Sequence, residues 1–140
     1  MSAHLDGDQL IATRHLDAGL AVVWEAFTTP AHLAAFWGGH HTTFPPETVT
    51  VDLRVGGRFE VGTLAFRYEV VEKPRRLVLS EARTGIRTDI RLDPAPGGGT
   101  TVTVHQRRLP PELQTDQARD GLAGILYKLH ELTTRLEGPR

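Results

Sequence analysis

The sequence predicts an α+β fold, a curved antiparallel sheet of about six or seven strands wrapped around one long C-terminal helix. Three observations predict it. Between residues 49 and 104 apolar and polar residues alternate in short runs broken by turn sequences. After Thr115 the period changes, and apolar residues recur every three or four positions as far as Leu136. Two short helical patterns follow one early strand, before the alternation begins.

The elements follow in order. Residues 9–16, QLIATRHL, read as the first strand, and Asp17-Ala18-Gly19 breaks it. Leu20, Val23, Trp24 and Phe27 then fall at i, i+3, i+4 and i+7, one face of a short helix. Thr29 before Pro30 reads as a cap followed by proline at the first helical position. The second helix carries Leu33, Phe36 and Trp37 on one side, and Gly38-Gly39 ends it. Past Pro46, Val49, Val51 and Leu53 share a face, and Val55-Gly56-Gly57 turns the chain. Phe59 and Val61 alternate with Arg58 and Glu60, and Gly62-Thr63 is short enough for a tight hairpin. Leu64, Phe66, Tyr68 and Val70 are expected inward, with Val71 outward. Residues 76–81 form a further strand. Ile86, Thr88, Ile90 and Leu92 face away from Arg87, Asp89, Arg91 and Asp93. Pro94 to Gly99 is a loop, and Val102 and Val104 are the last inward pair.

The consecutive strands with short turns predict an antiparallel meander with one wet face. Its cover comes last. Thr115 can cap a helix, and Asp116 suits the positive end of its dipole. Ala118, Leu122, Ile125, Leu126, Leu129, Leu132 and Leu136 form the stripe, and Gly138-Pro139 stops it. Roughly 22 residues at about 1.5 Å each give a helix of about 33 Å, long enough to cross a small sheet.

The 140 residues suit one domain, 1–140, with its core over about 9–137. Charged residues are 24% and hydrophobic residues 39% of the chain, ordinary for a globular protein. A formal net charge of −1 makes no electrostatic case for binding nucleic acid or an acidic membrane. Cysteine is absent, which excludes disulfides, thiolate metal sites and a cysteine nucleophile. The N-terminal MSAHLDGDQL shows no secretory pattern, and no segment approaches the roughly 18 apolar residues of a membrane span. A cytoplasmic protein is the expectation.

Several short stretches carry a resemblance: Val23-Trp24-Glu25-Ala26-Phe27-Thr28, Thr29-Pro30 through Phe36-Trp37-Gly38, and Asp52-Leu53-Arg54-Val55-Gly56-Gly57-Arg58-Phe59. Gly99-Thr100-Thr101-Val102-Thr103-Val104 and Gly121 add weaker support. With these, the chain resembles the activator-of-heat-shock-protein-ninety-ATPase homologue-like branch of the START-like (SRPBCC) superfamily, over roughly residues 9–137. The resemblance implies the helix-grip fold and an internal cavity between sheet and helix. Among such relatives some bind lipids, hormones or polyketides, some are cyclases or hydrolases, and eukaryotic ones activate a chaperone. No single catalytic motif comes with the fold. Two departures stand out. Gly62-Thr63 replaces a longer loop, and Leu122 follows Gly121 where relatives often have tryptophan. The second leaves room for a larger cavity unless other side chains fill it.

Candidate chemistry is sparse. His40-His41 are adjacent, so their side chains diverge in an extended loop, and no third ligand stands at a recognised spacing. No metal and no cofactor are expected, and at most one histidine, His40 beside the aromatic pair, reaches a cavity mouth. Trp24 belongs to the core; Trp37, at a glycine hinge, is core or cavity entrance. Tyr68 and Thr88 are polar exceptions on apolar strand faces, and Gln106 is a weaker one. Each either bonds within the protein or orients a ligand. Gly121 and Gly124 serve close helix packing, or Gly121 leaves ligand space. Tyr127 is expected at the surface or in a contact with another chain, as in a homodimer. Asp52, Glu60, Glu69, Asp89 and Asp93 fall on wet strand faces, and no nucleophile–base–orienter trio emerges. PGGG at 96–99 precedes a strand, so it is a turn and no phosphate loop.

The resulting expectation is a module that binds a small, largely apolar molecule between sheet and helix. Trp37, His40, Phe66, Tyr68, Thr88, Ile90, Leu122 and Ile125 are its candidate lining. The alternative is a cyclase- or hydrolase-type enzyme on a polyketide-like substrate, with His40 and Tyr68 handling protons. A chaperone-activating role is the weaker third reading, because the chain carries no second segment to engage a chaperone. A histidine and a buried hydroxyl meeting in one cavity would favour the enzyme.

Overall fold

The computed structural model describes residues Ser2–Gly138. Eight antiparallel strands make one sheet: β1 Ser2–Asp6, β2 Gln9–Leu16, β3 Val49–Val51, β4 Arg58–Val61, β5 Leu64–Glu72, β6 Arg76–Glu81, β7 Arg87–Pro94 and β8 Thr100–Arg107. Their order is β1-β2-β8-β7-β6-β5-β4-β3. The helices are α1 Leu20–Thr28, α2 Pro30–Phe36 and α3 Asp116–Glu137. This is the helix-grip arrangement, with β3 to β8 a meander closed by β8 against β2.

The first strand was not legible in the sequence. Its apolar content is only Ala3 and Leu5, which pack on the core opposite Ala12 and Leu10 of β2. The early and later strands are separated by most of the sheet's width, and α1 and α2 make the crossing between them. That is why this segment switches period. α1 buries Val23, Trp24, Ala26 and Phe27 against the sheet, and α2 buries Leu33, Ala34 and Phe36. Pro30 opens α2 as expected, but the Thr29 side chain makes no cap. The Thr29 carbonyl accepts from the amides of His32 and Leu33 instead.

α3 is capped as expected: the Ala118 amide donates to Thr115 Oγ1 at 3.1 Å. Leu122, Leu126, Leu129 and Leu132 are buried. The stripe ends there, because Leu136 is 40% exposed. The same core holds Leu77, Leu79, Ile90, Leu92, Val102 and Val104 from β6 to β8.

Three expectations about strand phase need correction. Leu53 does not share a strand with Val49 and Val51, because β3 stops at Val51 and Leu53 lies in the following loop. In β5 the pairing shifts between Tyr68 and Val70, a bulge. One extra residue reverses the alternation, so Val71, not Val70, packs on the core, opposite Leu77. Asp89 lies on the outer face, opposite Val78, yet it is only 5% exposed. Arg76 covers it with two bonds, Nε to Oδ1 at 3.1 Å and Nη2 to Oδ2 at 2.9 Å. Burial works against the Asp89 charge, but the Arg76 hydrogen bond and the charges of Arg76, Arg91 and Arg107 outweigh it and hold the carboxyl below its ordinary value.

The loop from Asp52 to Gly57 owes its sequence to one tight turn. Gly57 donates to the Arg54 carbonyl, and a Cβ there would overlap the Asp52 carbonyl. Only glycine fits that approach.

Candidate functional site

Six aromatic rings occupy the space under α1 and α2. Trp37, at the C-cap of α2, stands 4.9 Å from Phe59 and 5.9 Å from Phe66, edge to face. Phe36 joins Trp37 to Phe27, and Phe59 stacks on Tyr68. These rings close one end of the concave side of the sheet. The other end is open. Trp37, Phe44, Leu64 and Phe66 on one side, and Thr88, Gln106, Leu113 and Ile125 on the other, bound a groove of about 330 Å³. Its rim is the β6–β7 turn, with Glu81, Arg83, Thr84 and Ile86. Behind it, a space of only about 30 Å³ remains among Phe27, Ile90, Val104, Leu122 and Leu126, with Trp37, Thr88, Gln106 and Ile125 shared between the two. Leucine in place of a tryptophan at Leu122 therefore has not opened a larger cavity, because neighbouring side chains fill the room.

Of the residues expected to line a cavity, Trp37, Phe66, Thr88 and Ile125 border the groove, and Ile90 and Leu122 border the space behind it. Tyr68 and His40 are elsewhere. Tyr68 is 1% exposed within the ring cluster, and its hydroxyl finds no hydrogen-bond partner among the described residues. Burial, and secondarily the charge of Asp52, push its phenol well above the ordinary value. It stays protonated and supplies no base. His40 is exposed, with its ring 5.1 Å from that of Tyr127. The cause is Gly39, buried with φ of +59°, which lays the chain against α3 at Ile125. His40 then crosses Gly124, where a Cβ would come 2.9 Å from its Cδ2. Gly124 thus serves close packing, as expected, while Gly121 meets nothing within 4 Å. Tyr127 is 44% exposed, with the Arg14 guanidinium 5.6 Å from its ring centre. Among the described residues no three His, Cys, Asp or Glu side chains converge as metal ligands.

Glu81 was missed. Alternation with Leu77 and Leu79 points it inward, and extending that phase by one step would have found it. It is 8% exposed, and its Oε2 accepts from both the amide and the hydroxyl of Thr84 at 2.5 Å. Burial opposes its charge, but the Thr84 bonds and the charge and amide of Arg83 prevail, holding the carboxyl below its ordinary value. Opposite it, Gln106 Nε2 donates to Thr88 Oγ1 at 3.3 Å across β7 and β8. The groove thus offers aromatic and aliphatic walls, one amide–hydroxyl pair and an ionised carboxylate engaged by its own turn. No histidine and no cysteine line it. Such a surface can hold and orient a molecule; its hydroxyl beside a carboxylate is that of Thr84, which donates to Glu81 within their own turn.

A comparison with curated protein sequences finds no match. Solved structures match throughout. A protein from Rhodobacter sphaeroides is similar at a TM-score of 0.79 and 22% identity, covering 97% of this chain and 100% of that one. One from Nitrosomonas europaea gives 0.80 at 19% identity, over 96% and 100%. The AHSA1-like protein from Aeromonas hydrophila gives 0.70 at 25% identity, over 94% and 97%. Residues 17–134 match the family model described as activator of Hsp90 ATPase homolog 1-like protein, and the chain belongs to that family, within the START-like superfamily.

Proposed function

We propose that this protein binds a small, largely apolar molecule in the groove between its sheet and α3. The observation that carries the reading is the groove itself: about 330 Å³, walled by Trp37, Phe66 and Ile125, with Thr88 and Gln106 as its polar pair. Ligand sites of this kind are mostly apolar, with a few polar groups that fix orientation. Among the described residues no helix is long and apolar enough to cross a membrane. We place the protein in the cytoplasm, acting on a diffusible ligand.

The separation of His40 from Tyr68 favours binding over a cyclase- or hydrolase-type reaction. The first is exposed beside Tyr127, and the second is sealed among Phe59 and its neighbours. Neither reaches the groove lining.

Native mass spectrometry of the freshly purified chain tests the reading. Bound small-molecule mass is expected on the wild type and is expected to be lost in Trp37→Ala. A chain with no adduct, whose Trp37 indole signal also ignores a panel of aromatic ring compounds, would sink it.

A further inference from the structure

We propose that the groove selects a flat ligand of one or two rings by an amide- or lactam-like edge, that Gln106 reads this edge, and that long acyl chains are excluded. This rests on the groove being a binding site. The size limit comes from what lies behind it. An acyl chain needs a tunnel that continues between sheet and helix, and the continuation here holds about 30 Å³, closed by Phe27 and Leu126. That is room for about one water molecule. The groove in front, at about 330 Å³, falls at the small end of ligand pockets, which begin near ~300 Å³.

The edge comes from Gln106. It stands opposite Thr88 in the β7–β8 register, in a groove whose apolar walls include Trp37, Phe66 and Ile125 and whose rim carries Glu81, Arg83 and Thr84. Its Nε2 donates to Thr88 Oγ1 at 3.3 Å, which ties the carboxamide to β7. One N–H and the carbonyl oxygen make no further hydrogen bond among the described residues. A carboxamide held this way shows a donor beside an acceptor, and its complement is an acceptor beside a donor on a planar molecule. Neighbouring Trp37 supplies the flat face for the ring. A ligand without that edge leaves both Gln106 groups facing hydrocarbon, and such unpaired groups discriminate strongly.

Nitrogen-15 NMR titration of the full chain tests this, because Trp37 in the groove wall and Trp24 in the core give separate indole signals. The probes are 2-naphthamide, 2-methylnaphthalene and palmitate. Wild type is expected to bind 2-naphthamide at least about tenfold more tightly than 2-methylnaphthalene, moving Trp37 and not Trp24, and to ignore palmitate. Gln106→Leu should bring that ratio to near one, by weakening 2-naphthamide and strengthening 2-methylnaphthalene. Gln106→Glu, which keeps the shape and loses the N–H donors, should also lower the ratio, and it decides the matter if the leucine variant does not fold. Equal affinity of wild type for the amide and the hydrocarbon, or a ratio unchanged in the variants, overturns the role of Gln106 and leaves the groove standing as a site. Palmitate moving Trp37 overturns the size limit. If no probe moves Trp37, the groove reading fails, and this one with it.

Discussion

The two ends of the space between sheet and α3 share their strands and their helix, and they differ in what fills them. At the closed end Phe27, Phe36, Phe59 and Tyr68 are all nearly or wholly buried and meet as ring pairs. At the open end Phe66, Trp37 and Ile125 are only partly covered and border a groove. Interiors packed at crystal-like density make every lost methylene costly, whereas a half-open wall tolerates change. One end is therefore expected to carry more of the stability, and the other to tolerate change. Trp37 belongs to both, touching Phe59 with one side and the groove with the other.

The largest effect should separate the ends directly. Phe59→Ala removes a ring that is 1% exposed, and it should cost about 3–5 kcal/mol, the usual range for a buried aromatic. Phe66→Ala, half-buried, should cost clearly less. Trp24→Ala, 3% exposed in α1, belongs with Phe59. Chemical denaturation reads all three. Equal losses for Phe59 and Phe66 would mean that the groove wall is core and the two ends do not differ.

A second effect lies on the outer face, away from both ends, and calibrates them. Asp89→Asn breaks the paired bonds to Arg76, and a hydrogen-bonded charge of this kind contributes about 1.5–3 kcal/mol. The folded carboxyl titrates below its ordinary value of 3.8, so its contribution is complete above that value and is lost as pH falls through the depressed one. Wild type and variant should thus differ in melting temperature at neutral pH and converge as the solution is acidified below about pH 4. A gap that persists at pH 2 would show that packing, not the charge, is at stake. Binding to the groove should not change.

The comparison also explains what the sequence made legible. Periodicity identified the meander, both short helices, α3 and its Thr115 cap, because each is set by local pattern. It placed Phe66, Thr88, Ile90 and Leu122 on the inner face for the same reason. It failed where one residue changes the count. The β5 bulge reversed Val70 and Val71, and the early stop of β3 turned Leu53 out. It also failed where burial comes from a partner distant in sequence, as with Arg76 over Asp89 or β2 over the weak pattern of β1. The side of the chain on which His40 lies depends on the positive φ of Gly39 and the bare surface of Gly124, and no strand or helix period contains that information.

A smaller effect should appear at the closed end with the opposite sign. Tyr68 buries a hydroxyl that makes no hydrogen bond to any described residue, at 1% exposure. An unmade hydrogen bond costs about 1–3 kcal/mol relative to hydration in the unfolded chain. Tyr68→Phe removes the oxygen and keeps the stack on Phe59, so it should leave stability equal or raise it by about 1 kcal/mol. Loss of stability in this variant would reveal a hidden partner for the hydroxyl, and with it a polar site at the closed end.

The smallest effect is expected at the histidine pair. His40 and His41 are both exposed, and neither lines the groove. Their neighbours do the positioning: Gly39 turns the chain onto α3, and Phe44 enters the groove wall, its amide bonded to the Ala34 carbonyl. Exposed substitutions away from such features stay within about 0.5 kcal/mol. His40→Ala loses only a ring contact with Tyr127, and His41→Ala loses less. Each single variant and the double variant should therefore melt like wild type and titrate the Trp37 indole like wild type. Gly124→Ala is the informative contrast. Its new methyl group meets His40 Cδ2 at 2.9 Å but His40 N only at 3.5 Å, so the exposed imidazole turns away or the loop gives, and any shift of the loop passes through Gly39 toward Trp37 and the groove. If His40→Ala weakened binding as much as Gly124→Ala did, the imidazole itself, and not the path of the backbone, would belong to the site.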